Sequence, residues 1–149
     1  MDVLVLDLEL RAQVLREAKA ASPRECCGLI EGVRDGAVMR ATALHPARNL
    51  SLKAERFEID PADHFAALRA ARARGRDIVG CYHSHPNGKA EPSPRDAAGA
   101  AERGFVWLIA ATAPSADAVL KAYVFDGQAF LAVSLAEGAS LDPARTPRV

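Results

Sequence analysis

The chain has 149 residues, half of them hydrophobic and about a quarter charged, and this excludes a disordered protein and fits one globular domain. Its 19 lysines and arginines balance 19 aspartates and glutamates, so no overall charge favours nucleic acid or a membrane surface as a partner. The apolar runs are too short to span a bilayer, and the acidic start is unlike a secretory signal. Three cysteines form no disulfide framework and are typical of a reducing compartment. We therefore expect a cytoplasmic domain that uses neither nucleic acid nor a membrane.

The first half of the chain predicts a strand, a helix and a hairpin. Apolar residues predict a short strand within residues 3–10, and helical spacing predicts a helix over 10–21. Ser22-Pro23 ends this helix, because a proline disfavours helical geometry in the residue before it. Residues 26–44 predict two strands joined about Asp35-Gly36, since Asp-Gly is a strong hairpin signal.

The second half predicts two further helices among strands. Asp60-Pro61 is typical of a helix start and predicts a helix over 60–74, and Ser93-Pro94 starts a smaller helix over 94–103. Strands are expected at residues 56–60, 77–84, 105–112, 118–127 and 128–136. No repeat or linker is evident, so we expect one mixed α/β domain over residues 1–136 and a flexible tail over 137–149.

Two histidines stand two positions apart at the end of an apolar strand. Side chains alternate along a strand, so His83 and His85 point to the same side, with Cα atoms about 6.6 Å apart. Two such imidazoles can bind one zinc ion, because Zn–N distances are about 2.0–2.1 Å. Ser93-Pro94 followed by Asp96 predicts a helix cap that would hold Asp96 close to the same ion. Two histidines and a carboxylate leave a fourth position open, which is typical of a catalytic zinc.

The same residues also fit roles without a metal. Paired histidines on a strand occur as a polar face or a packed edge, and Ser-Pro-Arg-Asp by itself is an ordinary helix start. Three other families with H-x-H sites do not fit. An amidohydrolase-like barrel needs about 250 residues, the metallo-β-lactamase pattern continues with a further Asp-His, and a cupin has its glutamate closer to the second histidine than Glu91. The residues alone leave both interpretations open.

The whole pattern resembles the JAMM (MPN-plus) metalloprotease family. Its signature is a distal glutamate, then H-[ST]-H, seven residues and S-x-x-D, and here His83-Ser84-His85 is followed by seven residues and then by Ser93 and Asp96. The distal glutamate would be Glu25 in PRECCGLIEG, which is similar to the family segment P-x-E-x-C-G-L-[LI]-x-G. The likeness spans about residues 3–135, and at this size the chain resembles the bacterial stand-alone members.

The resemblance implies a fold and a role for each matching residue. The fold would be α/β (α+β) of the MPN/cytidine-deaminase-like type, with a mixed β-sheet flanked by helices. His83, His85 and Asp96 would bind one Zn²⁺ per chain, with water as the fourth ligand. Glu25 would be the general base, and Ser93 would help to stabilise the oxyanion.

The resemblance also implies a zinc metallopeptidase or isopeptidase. Its substrate would be the C-terminal tail of a small β-grasp protein, either ubiquitin-like or a sulfur carrier, lying extended in a groove and pairing with a strand edge near the metal. The short segment after Asp96 lacks the long insertions of linkage-selective eukaryotic deubiquitinases. The substrate's identity and the oligomeric state are not predicted.

Other functions remain as alternatives. One is an inactive MPN-type scaffold, and another is a metal-binding interaction domain without hydrolysis. A cysteine protease using Cys26 or Cys27 with His83 is weaker, because it gives His85 and Asp96 no role. Cys81 shares a strand face with the histidines, which predicts a small buried residue that could sit beneath the site.

Overall fold

The computed structural model describes residues 1–114 and 116–138, in which seven strands and three helices occur. In chain order the elements are β1 (Val3–Val5), α1 (Leu8–Ala21), β2 (Cys27–Asp35), β3 (Val38–Ala47), α2 (Pro61–Ala73), β4 (Asp77–His85), α3 (Pro94–Gly99), β5 (Val106–Ala113), β6 (Ala116–Phe125) and β7 (Phe130–Ala136). The predicted α+β class, with a mixed sheet flanked by helices, is confirmed.

The strands close into a barrel instead of an open sheet. Their order is β1-β3-β2-β4-β5-β6-β7, and β7 pairs back onto β1. The pairs β1/β3, β1/β7 and β4/β5 are parallel, whereas β2 pairs antiparallel with β3 and β4, and β6 with β5 and β7. The sequence does not predict this closure, because the three residues of β1 carry no signal for their partners.

Strands β2 and β4 are buried on both faces over most of their length, and each face packs against a different cluster. Ile30 and Tyr82 belong to the main core, together with Leu10, Val14 and Ala18 of α1. Leu29 and Cys81 belong to a second cluster with Ala67, Trp107 and the half-buried Phe57 and Ile59. Because side chains alternate along β4, His83 and His85 lie on the side of the second cluster.

Three predictions depart most from the observed elements. The first strand ends at Val5, because Asp7 is the N-cap of α1 and its side chain accepts a hydrogen bond from the Leu10 N–H at 2.8 Å. Residues 56–60 form no strand, and only a single bridge joins Asn49 to Ile59. The third helix ends at Gly99, four residues early, since Ala100 adopts extended backbone geometry.

The predicted hairpin forms between β2 and β3. Gly36 in its turn has a φ of 61°, a conformation that a glycine adopts without steric cost. Of the predicted tail, only the first two residues, Glu137 and Gly138, belong to the described part of the chain, and the rest of that prediction lies outside it. Within the described residues, no helix combines the length and apolarity needed to cross a membrane.

Candidate metal centre

The two predicted histidines meet at the end of β4. The Nε2 atom of His83 lies 3.0 Å from the Nε2 atom of His85, and their rings form an edge-to-face pair with centroids 4.7 Å apart. His83 is fully buried and His85 is 5% exposed. Alternation along the strand therefore brings both imidazoles to one point, as the spacing predicts.

Asp96 reaches the same point from the first turn of α3. Its Oδ2 atom lies 3.2 Å from the Nε2 atom of each histidine. A capping box holds it there, because Ser93 Oγ accepts a hydrogen bond from the Asp96 N–H at 3.0 Å while Asp96 Oδ2 accepts one from the Ser93 N–H at 2.8 Å. The helix cap thus orients the carboxylate toward the histidines.

The spacing of these three atoms fits a small cation. A tetrahedral zinc ion with bonds of about 2.0–2.1 Å separates its ligand atoms by about 3.3 Å, close to the separations of 3.0–3.2 Å found here. His85 Nδ1 lies 2.8 Å from the carbonyl oxygen of Lys89. When His85 is neutral and donates there, its Nε2 atom presents a lone pair to the cluster. The donor set of two imidazoles and one carboxylate therefore fits zinc.

The protonation states of Asp96 and His83 also favour a cation. Burial alone would raise the pKa of Asp96, but hydrogen bonds from His83 and His85 outweigh it and hold that pKa well below its usual range. Burial lowers the pKa of His83 and so favours the neutral imidazole. For His85 the hydrogen bond with Asp96 outweighs burial and raises the pKa. An ionised carboxylate beside a neutral, fully buried imidazole is the protonation state that a metal ligand requires.

Packing holds the ring of His83 in place. Its Nδ1 atom is buried and has no hydrogen-bond partner within the described part of the chain. The ring of Phe57 stacks on it, with centroids 4.3 Å apart and planes 22° apart, and Trp107 contacts it edge-on at 5.7 Å. The segment that carries Phe57 therefore touches a predicted metal ligand directly.

Glu25 lies beside this cluster, just before β2. Cys27 pairs with His83 across the ladder between β2 and β4, so one further step of two residues brings Glu25 opposite His85. One ligand atom from each of Glu25, His83 and His85 lies within 4.8 Å of the other two. Asp96 Oδ2 lies 3.2 Å from both histidines, and Glu25 is close enough to serve either as a further ligand or as a carboxylate next to the cluster. Burial raises the pKa of Glu25 to about 7, against the opposing charge of His85.

Three residues outside the predicted set also shape this centre. Ser84 bonds to Cys26 beside Glu25, Asn49 donates to the Glu25 carbonyl, and Phe57 stacks on His83. Ser84 is part of the H-S-H motif, and alternation along the strand predicts that it faces away from the two histidines. The sequence therefore carried a signal for its position. The positions of Asn49 and Phe57 depend on a loop whose path the sequence does not indicate.

Two cavities meet at the cluster. The first, of about 560 Å³, is largely apolar and is lined by Leu29, Phe57, Ile59, Phe105 and Trp107, with Cys81 and Asp96 in its wall. The second, of about 630 Å³, is lined by Glu25, His85 and Ser93 together with Lys89 and Glu91. Glu55 and Arg95 line both cavities. The site therefore lies in a cleft with room on either side of the cluster.

The cysteines do not form a nucleophilic site. Burial raises the pKa of Cys26 to about 11 and that of Cys27 to about 12, so both remain protonated thiols near neutral pH. Cys81 is 3% exposed and lies beneath the site in the wall of the first cavity, as its strand position predicts. The cysteine-protease alternative therefore loses its nucleophile.

Two histidines and an aspartate next to a buried glutamate, on this mixed barrel, define a hydrolase of the JAMM type. The chain belongs to the prokaryotic homologs of the JAB domain, and that family's model matches residues 7–125. The family and enzyme class expected from the sequence are confirmed.

Relatives and solved structures agree with this assignment. The desampylase of Haloferax volcanii is 33% identical over 138 residues, covering 89% of this chain and 95% of that protein. The probable TtuB-protein conjugate cleaving protease of Thermus thermophilus is 41% identical over 88 residues, covering 59% of this chain and 54% of that protein. A protein from Desulfitobacterium hafniense is 26% identical, with a TM-score of 0.83 over all of both chains. A JAB1/MPN domain protein from Archaeoglobus fulgidus, 23% identical, has a TM-score of 0.53 over 92% of this chain and 97% of its own, which supports the MPN fold.

Proposed function

We propose that this chain is a zinc-dependent isopeptidase with one zinc ion per chain. It would release the C-terminal tail of a small β-grasp protein, ubiquitin-like or a sulfur carrier, from the amine to which the tail is joined. The observation that carries the proposal is the convergence of two Nε2 atoms and one carboxylate oxygen to within 3.2 Å, beside a buried glutamate. The desampylase and the conjugate-cleaving protease among its relatives support the substrate class.

His83, His85 and Asp96 would hold the metal. When bound, zinc would supply a Lewis acid and an acidified water near neutral pH. The side chains are prearranged for this role, since the cap of α3 orients Asp96 and the Lys89 carbonyl orients His85. Little rearrangement is therefore needed when the ion enters.

Glu25 would move the proton. It would accept a proton from the attacking water and deliver it to the nitrogen of the departing amine. A carboxylate whose pKa is about 7 both accepts and releases a proton readily near neutral pH. Its burial accounts for this value.

Ser93 would stabilise the negative charge that develops on the carbonyl oxygen. Its Oγ atom accepts the cap hydrogen bond from the Asp96 N–H, so its own hydroxyl hydrogen remains available to donate. Ser93 also lines the second cavity together with Glu25 and His85. A donor in such a position is worth about 3–4 kcal/mol to the transition state.

The two cavities would hold opposite sides of the scissile bond. Glu25 must reach the departing nitrogen, and it lines the second cavity, so the amine and its polar surroundings would lie there. The tail of the carrier protein would then occupy the first cavity, whose apolar wall includes Phe57 and Trp107. This assignment follows from the position of Glu25 alone.

The proposal is tested with Glu25→Gln and the matched control Glu102→Gln, an exposed glutamate away from the cleft. The substrate is a β-grasp carrier protein joined through its C-terminal carboxylate to a lysine side chain of a fluorescent peptide. We expect E25Q to lose about 10²–10⁴-fold in kcat, because general acid–base catalysis contributes this much. It should retain one zinc per chain by elemental analysis, and E102Q should resemble the wild type.

An E25Q variant with normal turnover would contradict the role of Glu25. A wild-type protein that binds zinc without cleaving would instead point to a metal-binding scaffold.

A further inference from the structure

Asn49 links the backbone of Glu25 to the loop that lines the cleft. It follows β3, where the chain begins the loop of residues 50–59. Its Nδ2 group donates to the carbonyl oxygens of Glu25 and Arg56, both at 3.0 Å. Its Oδ1 atom accepts from the N–H groups of Ser51 at 2.9 Å and Glu58 at 3.0 Å. An amide side chain offers two donors and two lone pairs, so these four bonds saturate it.

The loop that Asn49 holds lines both cavities of the site and contacts one of the two histidines. Residues 55–59 line the first cavity, and Glu55 lines the second as well. Phe57 in the same loop stacks on the ring of His83. A second contact joins the same two segments: the Arg24 guanidinium donates a hydrogen bond to the carbonyl oxygen of Ser51. The segment carrying Glu25 and the wall of the cleft are therefore tied together at two neighbouring residues.

From these contacts we propose that Asn49 is a positioning residue that couples the wall of the substrate cleft to Glu25. A hydrogen bond to the Glu25 carbonyl restrains the peptide plane next to its Cα, so the same amide that shapes the loop also sets where the carboxylate lies. A displacement of about 1 Å at a catalytic group can cost about 10²-fold in rate. The inference rests on the proposed function, since it assigns Asn49 an effect exerted through Glu25.

A purely local role for Asn49 makes a different prediction. The bond from the Ser51 N–H to Oδ1 is an ordinary turn interaction between residues two apart, and it stabilises many loops. Asn49→Asp separates the two roles, because a carboxylate keeps both accepted bonds and loses both donated ones. If Asn49 only anchors the loop, the activity of N49D should stay close to that of the wild type. If Asn49 links the loop to Glu25, the activity should fall.

The test compares N49D with the control Gln128→Glu, which makes the same amide-to-carboxylate change in an exposed turn. Rates on the carrier conjugate are measured in the wild-type and E25Q backgrounds, with zinc content and unfolding temperature recorded for each protein. We expect N49D to lower kcat tenfold to a hundredfold with one zinc per chain retained, and Q128E to stay within twofold of the wild type. In the E25Q background N49D should change the residual rate by less than twofold. Asn49→Ser, which keeps a turn-forming hydroxyl, is assessed in the same way if N49D does not fold.

Two kinetic results would overturn the role of Asn49. One is a kcat of N49D within twofold of the wild type, and the other is an equal fold-loss in both backgrounds. Either can occur while E25Q alone shows its expected loss of kcat, so failure of this inference is distinct from failure of the proposed function. Amide hydrogen exchange tests the link without turnover, because N49D should speed exchange both in residues 51–58 and at Cys26. Faster exchange confined to the loop would also overturn the proposal.

Discussion

The hydroxyl of Ser84 accepts a hydrogen bond from the backbone N–H of Cys26 at 2.8 Å, and this contact ties the histidine strand to the segment of Glu25. The backbone N–H of Ser84 donates in return to the Cys26 carbonyl at 3.1 Å. Ser84 is fully buried and lies between the two histidines, facing away from them. The middle residue of the H-S-H motif therefore fixes the position of the Glu25 segment relative to His83 and His85.

Replacing Ser84 with alanine should destabilise the protein. The Cys26 N–H would lose its partner at a part-buried position, and an unsatisfied group of this kind costs about 1–3 kcal/mol. Urea unfolding measures the loss, with the exposed Ser134 on β7 as the control, since S134A should change the free energy of unfolding by less than about 0.5 kcal/mol. Equal stabilities for S84A and S134A would show that the contact contributes nothing measurable.

Zinc should stabilise the folded protein through His83, His85 and Asp96. Ligand binding to the native state adds about 2.7 kcal/mol when free zinc is a hundredfold above its dissociation constant. Thermal unfolding of the metal-free protein should therefore shift upward on addition of zinc. The shift should vanish in Asp96→Ala and persist in His64→Ala, which removes an exposed histidine that is not in the ligand set. A zinc-dependent shift that survives in D96A would exclude Asp96 as a ligand.

Glu31 should make the stability of the fold depend on acid pH. Its fully buried carboxylate accepts two hydrogen bonds from Arg74, at 2.6 and 3.1 Å, and pairs with His45 at 3.0 Å and Arg76 at 3.7 Å. Burial raises its pKa, but these partners outweigh burial and lower it from the ordinary 4.5.

Because the folded-state pKa of Glu31 is the lower one, its contribution is complete above about pH 4.5 and is lost as the pH falls below that value. Glu31→Gln should cost about 1–3 kcal/mol at neutral pH, since Arg74 is half exposed and solvent screens part of the pair. The difference from the wild type should shrink as the pH falls below 4.5 in urea unfolding series. A difference that grows on acidification would reverse the sign of the assigned shift.

Gly28 should not tolerate a side chain. A Cβ atom at this position would overlap the ring of Tyr82, which is fully buried and donates from its hydroxyl to Glu17 at 2.7 Å. We expect Gly28→Ala to lower the free energy of unfolding by about 1–3 kcal/mol or more. Gly99→Ala is the control, because its Cβ meets nothing within 4 Å and alanine favours a helix. Thermal unfolding of the two variants should move in opposite directions or differ by several degrees.

The sequence predicts the local parts of the site better than the distant ones. His83 and His85 follow from alternation on one strand, and Asp96 follows from a helix cap. Glu25 is 58 positions upstream of His83, so only resemblance to a family motif connects the two. Asn49 has no such signal, because its four bonds depend on how the loop folds back over Glu25.

In the fold, too, elements with a local signal are predicted well and contacts between distant residues are not. Turn and cap residues such as Asp35-Gly36 and Asp60-Pro61 predict the hairpin and α2 nearly at their observed bounds. At the start of α1 the prediction overlooked Asp7 as a helix N-cap, because an apolar run suggested a longer strand. Barrel closure depends on pairing between the two ends of the domain, and no local pattern encodes such a contact.

That closure has a consequence for how the protein is made. Val3, Leu4 and Val5 pair with residues 134–136, so β1 is synthesised well before its partner β7 and cannot complete this pairing until β7 has been made. The neighbouring ladder of β1 with β3 can form early, but the remaining edge of β1 stays open until β7 is synthesised. Because contacts between such distant residues require loop closure across nearly the whole domain, sealing of the barrel is expected as a late folding step. Until then, a partly built barrel exposes strand edges that chaperones or other chains can bind.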